Sequence, residues 1–206
     1  MHPKEHWEKV YTTKATDSVS WFQQHADLSL ELIRSTGVGH DAGIIDVGGG
    51  ASTLVDDLAA DGYRDLTVLD LSRAALKAAQ NRLGAQANDI RWIEADITKV
   101  ELPQQRYDIW HDRAVFHFLT TPEQRAAYVQ TVFRAVKPGG HVIVAAFAED
   151  GPLQCSGLPV MRYRPGELHE QFGDSFKLLI HCKEQHQTPS GAVQPFVYCY
   201  CRLIGS

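Results

Sequence analysis

Four short β-branched or aliphatic runs, Gly43 to Val47, Asp65 to Leu69, Ile90 to Glu94 and Tyr107 to His111, alternate with segments whose apolar residues recur at helical spacing. This rhythm restricts the fold more than any other feature. A strand followed by a helix and then another strand builds a parallel sheet with helices on its faces. The intervening helices are expected over Ser52 to Asp61, Arg73 to Leu83 and Pro122 to Val136. Pro138, Gly139 and Gly140 should stop the last of these and turn the chain into a fifth strand, His141 to Phe147. After Arg164 the pattern changes. Glu167 to Phe172 reads as a short helix, while Lys177 to His186 and Phe196 to Leu203 read as strands joined through Pro189, Ser190 and Gly191. Nothing helical separates those two strands, so they should pair antiparallel at the sheet edge. The Gly- and Pro-bearing stretch Glu149 to Pro165 reads as an ordered excursion of the kind that lines sites.

A chain of 206 residues with 44% hydrophobic and 22% charged residues fits one globular domain. The net charge of −5 and the lack of a Lys/Arg cluster disfavour a nucleic-acid partner. Pro3, Lys4 and Glu5 stand where a signal peptide would be apolar, and the run His141 to Ala148 is too short to span a bilayer. A cytoplasmic protein without a membrane partner is expected, as a monomer or homodimer. Cys155, Cys182, Cys199 and Cys201 lack zinc-ligand spacing and are too sparse for a disulfide scaffold, so they read as reduced, mostly buried thiols. A soft-metal grouping of Cys155, His181 and Cys182 is a weaker alternative, and no metal is expected.

The strongest motif is Ile45-Asp46-Val47-Gly48-Gly49-Gly50-Ala51-Ser52-Thr53, between the first strand and the first helix of the sheet. Glycines 48 and 50 let backbone N–H groups approach a ligand, and the helix that follows presents its positive end, so an anionic or carboxylate group should sit there. A dinucleotide fingerprint would require a third glycine where Thr53 stands, and a phosphate loop would require Gly-Lys-Ser/Thr.

Asp46-x-Gly48-x-Gly50-x-Ser52 resembles the first motif of the class I S-adenosylmethionine-dependent methyltransferases, with serine at Ser52 where many members have glycine. The resemblance extends to Lys137-Pro138-Gly139-Gly140 and to the C-terminal strand pair, and so covers the chain from about Gly43 onward. It implies an α/β fold, a three-layer αβα sandwich around a seven-stranded, mostly parallel sheet of order 3-2-1-4-5-7-6 with strand 7 antiparallel. Residues 1–206 then form one domain, with a helical and aromatic cover (1–40), a donor-binding core (43–147), a substrate-side excursion (149–166) and a C-terminal helix with the antiparallel pair (167–206). The cofactor implied is S-adenosyl-L-methionine, leaving as S-adenosyl-L-homocysteine. Gly48, Gly49, Gly50 and Ser52 would cradle it, and Asp46 would orient its amino end, a loop cap being the alternative. Asp70 ends the second strand, where an acid can accept from two ribose hydroxyls, with Leu71 and Ser72 following. The alternative is that Asp70 caps the next helix, a role Ser72 fills better. Asp96 would accept from the adenine amino group while Leu71 and Ile97 pack on the ring faces.

Ahead of the first strand, Trp7-x-x-x-Tyr11 and Ser20-Trp21-Phe22 precede an amphipathic helix over Ala26 to Thr36. The segment resembles the opening of small methyltransferases, some of which act on protein lysines; Tyr11 and Trp21 would then close the donor pocket. An aromatic staple holding the helix on the sheet is an equal alternative. On the acceptor side, His117 is the first candidate base, followed by His111 and Asp112, all just beyond strand four. Asp112 also stands among the donor contacts or caps the local helix, and Arg113 recruits a carboxylate or holds an ion pair. A small-molecule or thiol acceptor is expected, a protein lysine being the second enzyme reading and a non-catalytic binder of the donor the third.

Overall fold

A computed structural model describes residues 3–205. Helices α1 (Pro3–Thr13) and α2 (Asp27–Ser35) lead into β1 (Gly43–Val47), α3 (Leu54–Ala60), β2 (Asp65–Asp70), α4 (Arg73–Leu83) and β3 (Arg91–Glu94). Then follow β4 (Tyr107–Arg113), α5 (Pro122–Ala135), β5 (Val136–Phe147), a two-residue-stranded hairpin of β6 (Gln154–Cys155) and β7 (Leu158–Pro159), α6 (Pro165–Glu170), β8 (Phe176–Gln187) and β9 (Val193–Leu203). The seven-stranded sheet has the order β3-β2-β1-β4-β5-β9-β8. Pairs from β3 to β5 are parallel, and β9 runs antiparallel to both β5 and β8. That is the expected topology.

Strand alternation sends neighbouring residues to opposite faces. Ile44, Val68, Ile109, Ile143 and Phe196 bury against Leu30 and Ile33 of α2, Leu54 and Leu58 of α3 and Leu76 of α4. Ile45, Leu69, Trp110, Val144 and Val197 bury against Tyr128 and Val132 of α5 and Leu168 of α6. Two apolar layers therefore sandwich the sheet.

Helix α5 does not run into the proline and glycines. It starts from a capping box at Thr121 and Gln124, ends at Ala135, and Val136 is already extended. Lys137 to Gly140 form an irregularity at the start of β5, where pairing steps from Tyr107–Val136 to Ile109–His141. The residue before a proline disfavours helix, which ends α5 earlier than the glycines alone would. Within the excursion, Ser156 and Gly157 both have positive φ, which turns the β6–β7 hairpin in two residues. Short 3-10 turns at Gly84–Asp89 and Phe116–Phe118 also lie outside the expected elements. Among the described residues no helix is long and apolar enough to cross a membrane.

Candidate active site

Two adjoining cavities lie at the C-terminal ends of β1, β2 and β4, and Tyr11, Trp21, Gly48 and Arg113 line both. Ligands of open parallel sheets bind at this edge, where strand order reverses and the loops splay apart. The larger cavity contains Asp70, Leu71, Asp96 and Ile97, and the smaller one Asp46, Gly49, Ser52 and His111.

The glycine loop is shaped by close contacts. Gly48 has φ +72°, and a Cβ there would fall 2.0 Å from Val115 Cγ2. A Cβ on Gly50 would fall 2.5 Å from Asp70 Oδ2, the atom that accepts the Gly50 N–H at 3.0 Å. Arg82 of α4 donates to the carbonyls of Ala51 and Ser52 and pairs with Asp56, which clamps the far side of the loop. Gly50 thus positions the loop from behind and lines neither cavity.

Asp70 receives Gly50 N–H on one carboxylate oxygen and Ser72 N–H, at 2.7 Å, on the other. Asp70 lines the larger cavity, and a carboxylate can accept more hydrogen bonds than these. Burial, with the nearby Asp46 charge adding to it, pushes its pKa up to about 6 against the pull of these backbone bonds. Ser72 is the N-cap of α4, its hydroxyl accepting from Ala75 N–H at 3.2 Å, and it lines neither cavity. Asp96 accepts from Thr98 N–H and hydroxyl and pairs with Lys99. Burial acts to raise its pKa, but these bonds outweigh it and hold the carboxyl below its ordinary value.

The acceptor-side candidates need correction. His117 is fully buried and lines neither cavity; its ring lies against Phe118 and Phe147, each with centroids 4.5 Å away. Nδ1 accepts the Phe147 N–H at 3.3 Å, and burial, reinforced by Arg113, pushes the pKa down to about 3. A side chain sealed from ligand cannot serve as the base. Asp112 is equally buried: it accepts from Val115 N–H, Phe116 N–H and the Tyr128 hydroxyl, and burial raises its pKa to about 6. It caps the turn after β4 and lines neither cavity. His111 is tied between Asp46 and Ser29. Arg113 takes the ion-pair alternative, reaching Glu184 at 3.0 Å, Tyr198 and the Trp21 carbonyl while stacking over Phe196.

In the N-terminal segment, Tyr11 and Trp21 both line the larger cavity. Trp21 Nε1 donates to the Tyr11 hydroxyl at 3.1 Å, and Trp7 meets Trp21 and Phe118 edge to face at 5.5 and 5.1 Å. Together they roof the larger cavity and anchor α1. Glu8 accepts from the Arg73 and Ala74 N–H groups at the start of α4, and His6 meets Ser156 of the hairpin at 3.2 Å. Burial raises the Tyr11 phenol, with Asp70 contributing, and pushes the Cys155 thiol in the same wall up to about 12. Among the described residues no Cys, His, Asp or Glu cluster could hold a metal. Val115, Leu119, Gln124 and Thr98 also line the larger cavity. Apolar and amide side chains such as these carry no local signature. Arg82 had none either, because its role depends on α4 lying beside the loop.

The buried, unpaired Asp46 Oδ2 and the remaining acceptor capacity of Asp70 suit a ligand bearing an ammonium and a ribose, as S-adenosylmethionine does. Residues 44–140 match the family model of a methyltransferase domain. The fold around that match is the Rossmann-like seven-stranded sheet of class I S-adenosylmethionine-dependent methyltransferases, to which the chain is similar.

The relatives differ from one another in the acceptor that they are named for. The chain is 21% identical over 151 residues to the mouse eEF1A lysine and N-terminal methyltransferase, an alignment over 70% of this chain and 21% of that protein. It therefore spans about a fifth of the length of that relative. It is 30% identical over 158 residues to the ubiquinone/menaquinone biosynthesis C-methyltransferase UbiE of Coxiella burnetii, over 69% of this chain and 60% of the relative. Among solved structures, one from work on conversion of a disulfide bond into a thioacetal group in echinomycin biosynthesis superposes with TM-score 0.79 at 18% identity, over 100% of this chain and 94% of the other. The 1,6-didemethyltoxoflavin-N1-methyltransferase of Burkholderia thailandensis, with bound 1,6-didemethyltoxoflavin and S-adenosylhomocysteine, gives 0.69 at 18% identity, over 98% and 84%.

Proposed function

We propose that this chain methylates a small, largely apolar acceptor that attacks through its own lone pair, a thiol foremost. The observation that carries this reading is the composition of the larger cavity beyond Asp70 and Asp96. Its walls there are Trp7, Trp21, Phe118, Leu119 and Cys155, roofed by α1. The donor, when bound, supplies a methyl already activated by its sulfonium. What remains for the protein is placement and the removal of water. Asp70 accepts from the ribose hydroxyls, Asp96 accepts from the adenine amino group, Leu71 and Ile97 hold the ring, and Asp46 receives the ammonium. The aromatic walls exclude water and orient the acceptor.

Among the described residues no histidine, lysine or glutamate lines the larger cavity. Arg113 is held by Glu184, and the Tyr11 and Cys155 hydrogens are made harder to remove by burial. An acceptor that ionises by itself near neutral pH suits such walls; an alcohol does not.

A protein lysine is the second reading, favoured by the mouse relative. Methyl-labelled donor incubated with size-fractionated cell extract separates the two. Label in the small-molecule fraction is the expected result, label in protein would replace it with the lysine reading, and no transfer to either would leave a donor-binding protein.

A further inference from the structure

We infer that His111 is a positioning residue for the donor's ammonium, holding the Asp46 carboxylate so that one of its oxygens stays free to receive that group. The inference rests on the placement of the donor proposed above. Asp46 is the penultimate residue of β1 and His111 lies beside it on β4, the two being register partners in the sheet. Asp46 Oδ1 and His111 Nδ1 are 2.7 Å apart, and both side chains are buried, at 5% and 3% exposure. A carboxylate oxygen only accepts, so Nδ1 carries the hydrogen. The opposite ring nitrogen, Nε2, lies 2.8 Å from the hydroxyl of Ser29 on α2, so the imidazole is fixed from both ends. Ser29 in turn neighbours the Tyr198 hydroxyl, which accepts from Arg113.

The other Asp46 oxygen, Oδ2, is buried and has no partner among the described residues. It faces the glycine loop: a Cβ on Gly49 would fall 2.1 Å from it. A buried carboxylate oxygen without a donor is costly and demands an explanation. Asp46, Gly49 and His111 line the smaller cavity, next to the one that holds Asp70, so a positive group arriving there meets this oxygen. The hydrogen bond from His111 fixes the rotation of the carboxylate and consumes Oδ1, as an outer partner orients a metal ligand. Without it the carboxylate would turn to satisfy itself on neighbouring backbone, and the preformed acceptor would be lost.

The test compares, by titration calorimetry, S-adenosylhomocysteine with its deamino analogue, in which hydrogen replaces the amino group. In His111→Phe, S-adenosylhomocysteine should lose about tenfold or more in affinity, the loss of a hydrogen bond to a charged group. The deamino analogue should change by less than about twofold in the same variant. His111→Asn, whose amide nitrogen can stand near the Nδ1 position, should recover most of the loss. Equal loss for both ligands, or no loss for either, would overturn the inference and leave His111 a core residue. Should His111→Phe not fold, Ser29→Ala frees only the far end of the ring, and selective against equal or absent loss decides in the same way. If the wild-type protein binds the two ligands equally, the placement of the ammonium on Asp46 fails as well.

Discussion

Gly48 is held by two constraints at once, a left-handed backbone and a Val115 methyl in the space a Cβ would need. Gly48→Ala should therefore destabilise the fold by roughly 2–4 kcal/mol in chemical denaturation, about 1–2 from the backbone and the rest from overpacking. Adding Val115→Ala should recover the steric part alone; full recovery would show that the left-handed conformation costs nothing here. At Asp70 the proposed ribose contacts require an ionised carboxylate, and its pKa stands at about 6. Affinity for S-adenosylhomocysteine should fall as pH drops through that value, and the fall attributable to Asp70 should vanish in Asp70→Asn. Calorimetry at about pH 5, 6 and 7.5, on either side of that pKa, reads both. Identical pH profiles in variant and wild type would remove Asp70 from the ribose.

At the scale of elements, α1 is attached mainly by side chains: Glu8 to the start of α4, Lys4 to Glu94 of β3, His6 to the hairpin, and Trp7 and Tyr11 within the aromatic cluster. A helix so held opens locally more readily than the sheet beneath it. Glu8→Ala removes the acceptor for the Arg73 and Ala74 N–H groups in the first turn of α4 and should cost about 0.5–2 kcal/mol of local stability. Amide hydrogen exchange should quicken over residues 3–13 and at the first turn of α4, while the central strands stay protected. Uniform acceleration across the sheet would mean that α1 is part of the global core. Much of this scale was legible beforehand, because strand and helix periodicities are local. The stop of α5 before Lys137 is legible, but the start of β5 at Val136 and not at His141 is not, since proline and glycine mark a break without saying whether it falls before or inside a strand.

For the whole molecule, buried acids and a buried histidine give stability opposite dependences on pH. Asp112, raised to about 6, binds its proton more tightly in the folded state. Its contribution is full below the unfolded value and is lost as pH rises through about 6. His117, lowered to about 3, contributes fully above its unfolded value and loses that contribution as pH falls toward 3. Relative to wild type, Asp112→Asn should gain stability as pH rises from about 4 to 6, and His117→Phe should gain as pH falls from about 6.5 to 4. Urea denaturation across that range reads both differences, and parallel curves for either variant would mean that its group titrates alike folded and unfolded.

The sequence alone determined the βαβ order, the glycine loop after β1 and the carriage of Asp46, Asp70 and Asp96 to one edge of the sheet. Parallel strands joined by helices bring successive strand ends to the same edge, so chain order suffices. Only the tertiary structure decided what the histidines and Asp112 face. Asp112 is the penultimate residue of β4 and His117 lies beyond its end, where a turn, and not a period, sets direction, and the left-handed Ala114 at φ +73° lies between them. The partners that define the site are also remote: Ser29 lies 82 residues from His111, and Glu184 lies 71 from Arg113. No local pattern encodes such pairs, because they exist only once α2 and β8 have packed onto the sheet, and burial then fixes which polar atoms are satisfied by the protein and which are left for the ligand.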